Sequence, residues 1–214
     1  MQTQAVAQLF ATRFNAACLA AGLAARVRFN PAGVVTIEGW PEPLACEPYL
    51  EGDFVKHNDN EGHVAEPTLA LALRRMLCSD LATSAEDAAD CAAAFSYFSY
   101  VDSGGALVVC DIQGVGLLWT DPQIHTVDGR GYGLGNLGQE GIDRFLSAHR
   151  HGPMSRRLGL HRRRPAPRAP GEDPACGVAQ LAQLSALTPP PPPPHPSDRE
   201  GAPGRARLCC VCDT

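Results

Sequence analysis

The sequence predicts an α+β fold, and three observations carry that prediction. Apolar residues recur at helical spacing near the start, the run ALVVCDI (106–112) reads as a strand, and a second amphipathic helix covers 139–151. Helices and strands are grouped and do not alternate as βαβ units, which argues against a parallel doubly wound sheet. The 214 residues allow one domain with an appendage.

Taken in order, Val6, Leu9, Phe10 and Phe14 share one face of an N-terminal helix. Pro31-Ala-Gly33 leads into a short strand at Val34, Val35 and Ile37. Residues 68–81, rich in Leu and Ala, read as helix, and Ser84 with Asp87 three residues on caps another running through Ala94. A hairpin is predicted next: YFSYV (97–101), a turn at Asp102-Ser-Gly-Gly105, then 106–112. Residues 117–119 add a strand before the Asp121-Pro122 turn. In the closing helix, Ile142, Phe145, Leu146 and His149 share one face.

Composition changes near residue 160. The segment 161–214, with HRRRPAPRAPGEDP and a six-proline run at 189–194, cannot offset its ordering entropy and reads as a disordered Pro/Arg-rich tail. Its proline run suits an SH3- or WW-like partner. Net charge is −5, with −7 in residues 1–160 and +2 in the tail, which excludes a nucleic-acid binder driven by bulk electrostatics. No apolar stretch reaches ~18 residues, so no membrane span is expected. MQTQAVAQLF lacks a basic n-region and a cleavage signature. Of nine cysteines, Cys18, Cys46, Cys78, Cys91 and Cys110 stand singly in apolar context, as buried thiols do, and the predicted setting is the reducing cytoplasm. Cys209, Cys210 and Cys212 could bind metal or oxidise, or do neither.

Two stretches could carry chemistry. Gly131-Tyr-Gly133-Leu-Gly135-Asn-Leu-Gly138 contains a formal G-x-G-x-x-G ahead of a helix. What precedes it, DPQIHTVDGR, reads as loop and not as the strand a dinucleotide site needs, and no Gly-Lys-Ser/Thr follows. The second is VVCDIQGVGLLWTDPQIH. Asp111 stands where an apolar strand ends, Gln113 shares its face if the run stays extended, and Asp121 follows a return strand. Two carboxylates and an amide oxygen there would make a hard-oxygen cage for Mg²⁺, and one carboxylate could take a hydroxyl proton. Turn chemistry at Asp111 and Asp121 explains the same residues equally well.

DIQGVG, TDPQIHT and GYGLGNLG together resemble the central signature of the alpha-kinase family, the atypical protein kinases of the elongation factor 2 kinase and myosin heavy chain kinase type. CEPYLEGDFVKHNDNEG (46–62) resembles that family's hinge and AFSYFSY (94–100) its hairpin, in family order, across residues 1–160. The resemblance implies a protein serine/threonine kinase that transfers the ATP γ-phosphate with Mg²⁺. Asp111 matches the catalytic aspartate, Gln113 and Asp121 the metal-binding positions, and Glu47 and Leu50 hinge residues that contact adenine. Lys56, the chain's single lysine, matches one that points into the active site. Gly133, Gly135 and Gly138 match a glycine-rich loop near the protein substrate.

The sequence departs from the family in three places. A glycine-rich strand pair and an ATP-binding lysine precede, in the family, the helix that MQTQAVAQLFATRFN resembles. The sequence therefore predicts the C-terminal part of a two-lobed kinase-like fold, mostly antiparallel, with its N-lobe incomplete. It reads as a fragment (or truncated gene model) with doubtful activity, or as a pseudokinase that binds partners through its tail. Secondly, the family holds a structural Zn²⁺ with a hairpin histidine and H-x-C-x-x-x-C. Here those positions read Tyr97, His149, His151 and Ser155, which favours an apolar or hydrogen-bonded replacement over zinc. Thirdly, an Ala-rich insertion at about 65–93 carries no chemistry.

Overall fold

Val6, Phe10, Phe14 and Cys18 recur every three to four residues, and in the computed structural model they line the buried face of α1 (Gln2–Ala20). The structure describes residues 2–64, 83–165 and 208–210. Phe14 meets Phe95 and Phe98 edge-on at 5.7 and 5.4 Å. Both belong to α2 (Thr83–Asp102), which corrects the hairpin expected at 97–101: YFSYV is the end of a helix. Cys91 through Ser99 are all buried, so this stretch has no polar face, and without one the helical period vanishes while Tyr and Phe imitate a strand. Ser84 lies inside this helix instead of capping it. The helix expected at 68–81 lies outside the described residues.

Eight strands follow from the main body of the chain: β1 (Arg28–Phe29), β2 (Gly33–Val35), β3 (Leu44–Pro48), β4 (Phe54–Lys56), β5 (Leu107–Cys110), β6 (Gln113–Val115), β7 (Leu118–Thr120) and β8 (Gln123–Thr126). A ninth, β9 (Leu208–Cys210), comes from the tail. One sheet has the order β1-β7-β6-β4, another β2-β3-β9, and β5 pairs with β8. All pairings are antiparallel except β1 with β7. The strand beginning at 106 thus pairs with β8, not with 97–101. Trp119 on β7 is fully buried against Phe29 and Phe95, at 5.7 and 5.3 Å, and ties the four-stranded sheet to α2.

The closing helix is shorter than 139–151. It runs as α3 (Gly138–Ala148), and α4 (Pro153–Arg157) and a 3-10 turn (Leu160–Arg162) follow. The residue before a proline avoids helical backbone, and Gly152 is extended at φ −81°, ψ −172°. The described residues continue to 165. Leu160 is buried in the core, and Leu208–Cys210 lie beside β3, pairing Glu47 with Cys209. The rest of the predicted tail, 166–207 and 211–214, lies outside the described residues. Among the described residues, no helix is long and apolar enough to cross a membrane.

Three imidazoles set an acid limit on this fold. Burial lowers the proton affinity of His57, His125 and His149 below the ordinary value, His149 to about 4. The unfolded chain therefore takes up protons first, from about pH 6.5 downward. Stability is complete above that pH and falls as the pH drops toward about 4. The urea midpoint is expected to be lower at about pH 5 than at about pH 7.5, and equal midpoints would contradict burial of neutral histidines.

Candidate active site

The run LVVC of β5 is wholly buried, and Asp111 follows it directly, between Cys110 and Ile112 of the core. Asp111 has left-handed backbone, φ 57°, and Asp121 does too, φ 45°. Such conformations cost roughly 1–2 kcal/mol in a non-glycine residue and concentrate where function fixes the backbone. The left-handed turn breaks the extended run expected between Asp111 and Gln113, because Gln113 opens β6 in a different sheet. The two side chains meet across the turn all the same. Gln113 Nε2 donates to Asp111 Oδ2 at 3.4 Å and to the Asp121 carbonyl at 3.3 Å.

Asp111 is only 6% exposed, and its Oδ1 lies 2.6 Å from the half-exposed Lys56 ammonium. Lys56 on β4 sits opposite Gln113 on β6, which sits opposite Thr120 on β7. Residues opposite one another share a face, so Lys56, Gln113 and Thr120 form a polar row across three strands, ~10 Å long. At its far end Thr120 Oγ1 donates to Glu47 Oε2, which also accepts from Asn30 Nδ2 at 3.2 Å. Leu50 is half-buried just past the end of β3. The structure thus gathers Lys56, Asp111, Gln113 and Asp121 at one end and Glu47 at the other.

Gly133 and Gly135 lie in the loop between β8 and α3, and Gly138 opens α3. Gly133 and Gly138 have φ of 78° and 68°, and a Cβ on Gly135 would come within 2.8 Å of the Gln123 amide. Asn136, absent from the sequence reading, organises this loop. Its Nδ2 donates to Thr126 Oγ1 at 2.8 Å and to the Arg130 and Gly131 carbonyls at 3.2 and 3.1 Å. Its Oδ1 accepts from the Thr126 and Gly138 amides.

Sequence reasoning also missed the residues that brace Asp111. Asn58 Oδ1 accepts the Ile112 amide at 2.8 Å, and the Asp59 carbonyl accepts that of Asp111 at 3.3 Å. One residue on, the Asn60 carbonyl lies 2.7 Å from Nε2 of the fully buried His125, whose Nδ1 accepts the Leu137 amide at 3.1 Å. His125 is therefore a neutral ring with Nε2 protonated, joining the segment beside Asp111 to the glycine-rich loop. A lone histidine within the buried strand QIHT was the available signal.

Among the described residues, no three His, Cys, Asp or Glu side chains converge to hold a metal ion. Asp111 and Asp121 carry carboxylates and Gln113 an amide, donor types that suit an ion which keeps most of its waters, but Gln113 here turns its Nε2, not its oxygen, toward Asp111. His149 and His151 adjoin one another but gather no third ligand of those kinds among the described residues.

The alpha-kinase family model matches residues 1–155. Alpha-protein kinase 1 of Dictyostelium discoideum is 42% identical over 144 residues, 66% of this chain and 9% of that protein. Myosin heavy chain kinase C of the same organism is 38% identical over 131 residues, 60% of this chain and 14% of that protein. Eukaryotic elongation factor 2 kinase of Mus musculus is 38% identical over 114 residues, 53% of this chain and 13% of its own length. A solved alpha-kinase domain, that of myosin heavy chain kinase A in complex with ADP, aligns with a TM-score of 0.56 and 34% identity, covering 73% of this chain and 56% of that one. The chain therefore spans a small part of the curated relatives and little more than half of the solved domain.

Proposed function

The chain belongs to the alpha-kinase family, and from that premise we propose that it carries the catalytic half of a protein kinase that moves the γ-phosphate of ATP to a serine or threonine hydroxyl. The observation that supports this best is the buried Asp111 carboxylate, paired with Lys56 at 2.6 Å and flanked by Gln113 and Asp121 on strained backbone.

In this reading ATP lies along the polar row. The adenine stands at the Glu47 and Leu50 end, and the phosphates stand at the Lys56 end, where the ammonium offsets their charge. Gln113 and Asp121 would hold Mg²⁺, which supplies further neutralisation of phosphate charge. Asp111 orients the acceptor hydroxyl and takes its proton as the oxygen bonds to the γ-phosphorus and ADP departs. Little covalent chemistry is asked of the protein, because phosphoryl transfer depends mainly on positioning and charge. The loop at Gly133–Gly135–Gly138, tied by Asn136, borders the protein substrate.

The test is transfer of radiolabelled phosphate from ATP and Mg²⁺ to a Ser/Thr protein such as myelin basic protein. Label on serine or threonine that disappears in Lys56→Met supports the reading. Label unaffected by Lys56→Met, or none in either this chain or a longer one that contains it, refutes it. The expected loss in Lys56→Met is ~10²–10³-fold, the scale of one electrostatic contact at a transferring phosphate.

A further inference from the structure

His149 and His151 stand where the family resemblance implies two ligands of a structural zinc, with Tyr97 and Ser155 at the other two positions. These residues do not fit a zinc ion. His149 Nε2 and His151 Nδ1 are 3.2 Å apart, a separation that two nitrogens on one zinc would also show, so the misfit lies at the other two positions. The Tyr97 ring lies flat on His149, with centroids 4.8 Å and planes 11° apart. Its hydroxyl donates to the Arg163 carbonyl at 3.2 Å. Ser155 is wholly buried and offers a neutral hydroxyl where a closed zinc site takes a thiolate or imidazole.

The same side chains join the elements by ring packing. Phe145 of α3 stacks on His149 at 5.5 Å and 27°, and His149 stacks in turn on Tyr97 of α2. His151 meets the Tyr97 ring edge-on at 4.6 Å and 89°. Offset stacks and edge-to-face pairs at such separations are favourable arrangements of aromatic quadrupoles. Beside them, Asp90 of α2 accepts the Met154 amide of α4 at 2.6 Å.

We propose that this chain fastens its C-terminal segment to α2 with a metal-free ring cluster, Phe145–His149–Tyr97–His151, in place of the zinc centre its family resemblance implies. The inference concerns architecture and does not depend on the phosphotransfer reading. Its consequence is a fold indifferent to zinc supply.

Metal analysis and calorimetry of the full chain, purified from zinc-supplemented cells, test it. Zinc is expected well below one ion per chain, with the same melting temperature with and without 1,10-phenanthroline. His149→Ala, which removes the middle ring, is expected to lower the melting temperature by several degrees. Tyr97→His, His151→Cys and Ser155→Cys combined restore four ligands and are expected to bring one zinc per chain and a melting temperature that phenanthroline lowers. One zinc per unmodified chain with chelator-sensitive melting overturns the proposal, as does His149→Ala melting with the parent. If the triple variant does not fold, metal content and His149→Ala still decide.

Discussion

Asp111→Asn is expected to abolish phosphate transfer while leaving the fold standing. Asparagine keeps the size of the side chain and is among the few residues that accept left-handed backbone, so the φ of 57° carries no new penalty. Alanine would mix that strain with the loss of the carboxylate. The substitution removes the one group placed to take the acceptor proton, and general-base catalysis accounts for ~10²–10⁴ in rate. It also removes the partner of Lys56. Since that ammonium is half exposed, losing the pair should cost stability no more than about 1 kcal/mol. Rate assays with saturating ATP, calorimetry, and ATP binding measured separately distinguish these effects. A variant that keeps a tenth of the parent activity would remove Asp111 from the chemistry. One that unfolds would show that the carboxylate is structural.

How much of this was legible depended on whether each residue's environment was local. The α1 face could be read because one side of the helix is wet, which leaves Val6, Phe10 and Phe14 in register against polar neighbours. The end of α2 could not, because its surroundings are supplied by α1, β5 and β7 and no polar face remains to mark the turn of the helix. At the site, Asp111, Gln113 and Asp121 stood out as polar residues beside apolar strands, with turn chemistry an equal alternative, whereas Lys56 was singled out only by the family resemblance. Their mode of meeting was not legible. It depends on left-handed backbone at two aspartates, a conformation that sequence scarcely encodes outside glycine. Asn58 accepts the amide of Ile112 and the Asn60 carbonyl meets the His125 ring, each more than fifty residues along the chain, and nothing in spacing reveals such partners.

The largest stability effect expected at a single residue near the site is at His125. His125→Phe keeps a planar ring but removes both the Nε2 proton and the Nδ1 lone pair. The Asn60 carbonyl and Leu137 amide would then lose their partners on the side that faces the fully buried ring. Each unsatisfied buried group costs ~1–3 kcal/mol, so a loss of ~2–5 kcal/mol is expected in urea unfolding. Nor can the larger ring relax away, because α3 passes so close that a Cβ on Gly141 would lie 2.6 Å from the imidazole. Asn136→Ala is the informative comparison. It releases the glycine-rich loop at a half-buried position, so its cost should be smaller and confined to faster amide exchange in the loop. If the loop borders the protein substrate, both variants should raise the substrate KM more than they lower kcat, with His125→Phe alone also shifting the unfolding midpoint. A His125→Phe protein within about 1 kcal/mol of the parent would show that the imidazole merely fills space, and the link from Asp111 to the loop would then run through the packing of α3 against β8.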